Sequence, residues 1–199
     1  TYTFKLRQDV DWHKGFGHFT ANDVKASFDR VKNPDTKSPF AGSISLLKEV
    51  QVVDARRVKF VLKEPWPDFM TFYGTTATGA GWVVPKKYVE KVGEEGFLKA
   101  PIGAGPYRFV SSTPGIEIAL EAFEGYWRKV PSVKRIILKS VPDETTRAAA
   151  LKRGEADVVY FLGGPVAEDI RKTAGLKLTA VRTNTVFFLD FTEQWDPKS

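Results

Sequence analysis

The most constraining feature of this chain is the order of hydrophobic periods in its second half. Strand-like runs at 133–141, 157–161, 176–181 and 185–191 alternate with helix-like runs at 144–153 and 165–174. A strand–helix–strand–helix–strand order predicts a parallel βαβ core with right-handed crossovers. The first helix carries Asp143 as its N-cap and Gly154 just past its end, the expected asymmetry of helix termini. Ahead of these, strands are expected near 106–111 and 116–122, the second with Ile116, Ile118 and Leu120 on one face.

The first half reads instead as α+β. Tyr2, Phe4 and Leu6 alternate with Thr3, Lys5 and Arg7, predicting a strand at 2–7. Thr20 is placed as an N-cap and Asp23 as its capping-box partner, ahead of Val24, Phe28 and Val31 at helical spacing. Asn33-Pro34 ends that helix. Residues 49–54 and 57–63 read as a hairpin, Pro65-Trp66-Pro67 as a break, and Pro85 as the start of a short helix through Val92. The change of character at Pro101–Pro106 sets a boundary. It separates the α+β first half from a second half of strands and βαβ units.

Composition narrows the function. Apolar residues make up 42% and charged residues 27% of 199, an ordinary globular balance. No run approaches the roughly 18 apolar residues of a membrane span. The absence of cysteine excludes disulfides and thiolate metal sites. Thirty Lys and Arg against 24 Asp and Glu give a net charge of +6. The cations form no block and match no nucleic-acid signature, so no nucleic-acid partner is expected.

Chemical motifs are equally sparse. His13 and His18 stand five apart on a Gly-broken segment and read as structural or surface histidines, not metal ligands. Gly15-Phe16-Gly17 and Gly103-Ala104-Gly105 lack the ending of a phosphate loop and read as turns. No nucleophile elbow and no distinctive carboxylate pair occur, so no catalytic residue, cofactor or metal is assigned.

The aromatic excess is the more informative signal. Phe40 lies in a turn-rich loop, and Tyr73 and Trp82 flank the run 74–81, GTTATGAG. Aromatic faces beside small residues and free backbone groups commonly line a non-covalent ligand site. Trp82 either lines such a site or plugs the core beneath its own loop. Gly163-Gly164-Pro165, between a strand end and a helix start, is either an anion-binding turn or a plain βα turn.

Five stretches in order resemble one family. Residues 1–15, TYTFKLRQDVDWHKG, are similar to its YTFxLRxxVxWHDG signature, and 18–28 to PFTAEDVxxSF. Residues 101–107, PIGAGPY, resemble PIGTGPY. Tyr126-Trp127 with Pro131, and the run 141–147 with Leu151 and 154–157, resemble the family's next segment. Lys14 stands where the family usually has Asp, and Ala104 where it usually has Thr. The family is the bacterial extracellular solute-binding proteins of family 5, which serve ABC importers.

The resemblance implies a periplasmic-binding-protein type II-like lobe one, an α/β fold with mixed sheets and βαβ units. Lobe two and the return strand are expected outside this 199-residue piece, because family members run to more than twice its length. The implied role is non-enzymatic: a peptide-like or other small solute is bound in an interlobe cleft and handed to ABC permease subunits. The implied location is periplasmic, or extracellular on a lipid anchor, with no signal peptide in this chain. A receptor feeding a sensor or chemotaxis system is the alternative within the family, and a small hydrolase the alternative from another class. Phe40, Tyr73, Thr76, Thr78 and Trp82 are assigned to the ligand, with Asn184 near the hinge as a further contact. The full-length protein is expected to be a monomer. The piece alone is expected to bind weakly and to self-associate through an uncovered apolar patch.

Overall fold

A computed structural model describes residues 1–75 and 81–181. The chain forms two compact units, Thr1–Ser140 and Val141–Ser199.

The first unit holds two antiparallel sheets. In one, β1 (Tyr2–Lys5), β2 (Leu47–Asp54) and β3 (Arg57–Leu62) lie in the order β1-β3-β2. Tyr2 and Val50 both register with Phe60, and Phe4 and Val52 both register with Val58. These rows turn one face toward α1 (Ala21–Lys32). The core is Ala21, Val24, Phe28, Ile44, Leu47, Val50, Val58, Phe60 and Phe69. The strand residues follow the two-residue period and Val24 and Phe28 the helical one, as the sequence requires.

Asp23 fixes the start of α1. Its Oδ2 accepts the Thr20 backbone N–H and the Thr20 hydroxyl, each at 2.8 Å. Its Oδ1 accepts the backbone N–H of Lys86 at 2.9 Å. One turn on, Ser27 Oγ donates to the Asp23 carbonyl at 2.8 Å and accepts the Val84 N–H at 2.9 Å. The entry to α3 (Lys86–Lys99) is therefore hung on the buried face of α1. Arg30 pairs with Glu94 and joins the same two elements. The expected helix ends at Val92, where Gly93 at φ 70° kinks the element before it resumes.

The second sheet is a meander of β4 (Tyr107–Thr113), β5 (Glu117–Ala122) and β6 (Arg135–Lys139). Its start is held by His13. The His13 Nδ1 accepts the Gly103 N–H at 3.2 Å, and its Nε2 donates to the Gly105 carbonyl at 3.0 Å. The His13 ring meets Phe123 edge-on at 4.8 Å. The ring is thus the neutral Nε2–H tautomer, and the Gly103-Ala104-Gly105 turn is its receptor.

The second unit contains α4 (Glu144–Lys152) and α5 (Gly164–Lys172). Asp143 caps α4 by accepting the Thr146 N–H at 2.7 Å. Hydroxyl bonds from Thr145 and Thr146, then that N–H, bring the Asp143 carboxyl down to about 2. Gly154, at φ 72°, follows the helix as expected.

The parallel βαβ core is not present among the described residues. Every ladder there is antiparallel, and the chain at 157–161 and 176–181 makes no strand. A strand needs a neighbour to take its backbone groups, and Val158, Tyr160 and Phe161 face solvent instead. The strand expected at 185–191 lies outside the described residues.

Burial, reinforced by Arg108 and Lys14, lowers the His13 pKa below 6.5, while the Gly105 bond opposes the shift. The neutral ring is the one that fits, because a proton on Nδ1 would face the Gly103 N–H. The stabilisation His13 supplies is complete above its unfolded pKa of about 6.5 and is lost as pH falls toward the lower folded value. Urea unfolding should show stability declining on acidification through this window. A His13→Gln variant should lose that component of the pH dependence and about 1–3 kcal/mol at neutral pH.

Candidate ligand-binding site

The aromatic site is built on α2 (Phe69–Tyr73), one and a half turns that follow Pro65-Trp66-Pro67. Phe69, 1% exposed, anchors it. Its ring stacks on Tyr2 at 4.6 Å and lies 5.4 Å from Phe60 and 5.7 Å from Trp66. The end of α2 is thereby fixed to the sheet, with Tyr73 as its last residue.

Tyr73 lies against Phe69, Trp66 and Phe28 at 5.0, 5.5 and 5.8 Å. Its hydroxyl donates to the Ser43 carbonyl at 2.9 Å. Burial pushes its pKa up to about 12, so it is a phenol donor at any ordinary pH. This bond ties α2 to the loop that carries Phe40.

Gly74 and Gly81, at the ends of the small-residue run, are both close-packed. A Cβ on Gly74 would come within 2.6 Å of the Met70 carbonyl oxygen, and one on Gly81 within 2.8 Å of the Tyr73 carbonyl oxygen. Only glycine fits this close approach at either end. Beyond Gly81, Trp82 is 70% exposed. Its ring therefore does not plug the core. Phe40, Met70 and Phe72 are exposed around the same segments.

Of the residues assigned from sequence, Tyr73 is a half-buried support, and Phe40 and Trp82 present open rings. No ring contact joins the three to one another among the described residues. Thr76, Thr78 and Asn184 lie outside the described residues. The exposed groups offer aromatic faces for stacking and apolar contact. Among the described residues no three His, Asp or Glu side chains converge to hold a metal ion.

A second aromatic pair escaped the sequence reading. In the second unit, Tyr160 is exposed and Phe161 is 90% exposed, the latter with a left-handed backbone at φ 56°. The guanidinium of Arg147 holds this turn. It donates to the carbonyls of Val141, Pro142, Tyr160 and Phe161 at 2.8, 2.6, 3.2 and 2.8 Å. A left-handed non-glycine residue is strained, and such strain clusters where function needs a side chain aimed. One sequence signal could have found it: an aromatic pair closing an extended run just before Gly163-Gly164-Pro165. A carboxylate already lies at that turn. The Gly163 N–H already donates to the Glu144 carboxylate at 3.3 Å.

Two antiparallel sheets and five helices, with exposed aromatic rings at Phe40, Trp82 and Phe161, make up the described residues. The family described as bacterial extracellular solute-binding proteins, family 5 Middle, matches residues 1–198. The chain belongs to this family. It is 35% identical over 182 residues to the glutathione-binding protein GsiB of Pectobacterium atrosepticum, covering 90% of this chain and 34% of that protein. It is 27% identical over 219 residues to the dipeptide-binding protein of Escherichia coli K12, covering 99% of this chain and 40% of the relative. Among solved structures, AgaA of A. tumefaciens R10 in complex with agropinic acid superposes with a TM-score of 0.78 at 33% identity. That match covers 86% of this chain and 34% of AgaA. The chain thus spans about a third of the length of these relatives.

Lysine in place of Arg147 keeps the charge but lacks the planar fork. Arg147→Lys should speed chymotryptic cleavage at the exposed Tyr160-Phe161 turn by about tenfold, while β1–β3 stay intact. Limited proteolysis read by mass spectrometry checks this.

Proposed function

We propose that this chain is the lobe-one portion of a receptor that captures a small peptide-like solute and delivers it to the membrane subunits of an ABC importer. The receptor works in the periplasm, or outside the cell on a lipid anchor, and carries out no chemistry on its solute. Residues 1–104 form the extra subdomain of the lobe and 105–199 part of its core subdomain. The solute is held by Phe40, Tyr73, Thr76, Thr78 and Trp82, with Asn184 toward the hinge.

The observation that carries this reading is Trp82. Its indole, 70% exposed and next in sequence to the close-packed Gly81, presents an open aromatic face on which a solute can stack. Family membership supplies the context. GsiB and the E. coli relative are named for glutathione and dipeptides, and AgaA holds agropinic acid. A peptide-like compound with carboxylate and amide groups is the class that glutathione and dipeptides share. Closure of a second lobe over the exposed rings would bury most of such a solute, the usual source of affinity at these sites. One face of the second sheet leaves Ile116, Ile118 and Leu138 exposed, which supports self-association of the isolated piece.

Titration calorimetry on the full-length receptor with glutathione and with dipeptides tests the reading. One of these should bind, and Trp82→Ala should weaken it by about tenfold to a hundredfold, the scale of an aromatic anchor. The thermal midpoint should not move, because the ring packs on little. Unchanged affinity in both Trp82→Ala and Phe40→Ala would remove the site from this surface.

A further inference from the structure

Helix α1 packs on one face of the first sheet, and the other face meets solvent. Residues that alternate with the core pairs point to that open side. Thr3, Lys59 and Gln51 form one outward row across the three strands, and Lys5, Arg57 and Asp54 form the next. Arg7 continues the outward alternation of β1, where the Leu6 N–H extends the ladder to the Arg56 carbonyl at 2.7 Å.

The open face is basic, and its acids are already engaged. Asp54 pairs with Arg57 at 2.6 Å and accepts the Arg56 N–H at 2.8 Å. Glu49 accepts the Gln51 amide at 2.6 Å. Lys5 and Lys59 make no ion pair among the described residues, and Lys59 has the uncharged Thr3 and Gln51 on either side. Lysine on an edge strand guards against pairing with another sheet, but β3 is the central strand and Lys59 has no edge to guard. Arg7 lies over the Trp127 ring at 4.5 Å, and Arg128 over the same ring at 4.3 Å. Neither guanidinium pairs with a carboxylate among the described residues, although Asp9 is only two residues from Arg7. Stacking on an indole leaves the N–H donors of a guanidinium available to an anion.

A protein partner needs an apolar or aromatic anchor at the centre of the contact. Between its charges this face offers only Val53 and Val61, and the indole at its margin is covered by the two arginines. Cations spread over an open sheet face suit instead a surface whose negative charge is itself spread out, where each contributes a small share of the attraction.

We propose that the open face of the first sheet docks on an anionic phospholipid surface. Lipid phosphates take the guanidinium donors of Arg7 and Arg128, and Lys5 and Lys59 lie over the headgroups. Phe69 packs on Phe60 from the core side of the sheet, so docking leaves α2 turned away from the lipid. The face is separate from the residues assigned to the solute.

The test is sedimentation of the full-length protein with vesicles of phosphatidylcholine alone, or of phosphatidylcholine and phosphatidylglycerol in equal parts. Only the anionic vesicles should retain it, and raising salt from about 0.05 M to about 0.5 M should release it. Lys5→Gln combined with Lys59→Gln should bind about tenfold more weakly and keep the thermal midpoint, since neither lysine is paired. Lys87→Gln combined with Lys99→Gln removes the same charge from exposed positions of α3 and should bind as the wild type does. No retention on the anionic vesicles would overturn the proposal and turn the face toward an acidic protein. Equal retention on the neutral vesicles, or equal loss in the two double variants, would overturn it as well.

Discussion

The first unit depends on one buried carboxylate. Asp23 receives two donors from Thr20 and one from Lys86. A buried acid is tolerated only when its lone pairs are taken up, and here each donor comes from a place the fold must fix. The bonds from Thr20 start α1. The bond from Lys86 places the entry of α3, and with it the stretch from Trp82 to Pro85. Ser27 repeats the arrangement one turn later by bridging the Asp23 carbonyl and the Val84 N–H. A helix N-terminus and the segment that follows Trp82 are thus secured by the same side chain.

Aromatic packing consolidates the first sheet of that unit. Phe60 sits where Tyr2 and Val50 register with it, and Phe4, Phe28 and Phe69 close around it. Phe69 carries α2, and Tyr73 at the end of α2 reaches the Ser43 carbonyl. The exposed rings rest on a rigid support as a result. Their positions follow from the core and not from contacts among themselves.

Much of this was legible because it is local. The two-residue period at Val58, Phe60 and Leu62, the capping box at Thr20 and Asp23, and the Asp143 cap with Gly154 are short-range patterns, and all were found in place. What was missed is long-range or aperiodic. The bonds of His13 to Gly103 and Gly105 span about 90 residues and leave no spacing signal. The runs at 157–161 and 176–181 have strand composition, but pairing is a property of neighbours, and none is present among the described residues. The residue pattern alone left Trp82 open, since an indole beside glycines suits a plug and a platform equally, and only the family resemblance assigned it to the ligand. Phe161 was overlooked because its left-handed backbone is imposed through the carbonyls that Arg147 gathers. In the family resemblance, five ordered motifs carried more than any single residue did.

Gly74 and Gly81 have one feature in common. At each, the space a side chain would need is filled by a main-chain oxygen of α2, that of Met70 at the first and that of Tyr73 at the second. A side chain at either position must therefore displace the backbone of α2 itself. Because α2 carries Phe69 into the core and the Tyr73 hydroxyl to the Ser43 carbonyl, a single methyl group there is felt both in the sheet and in the loop of Phe40.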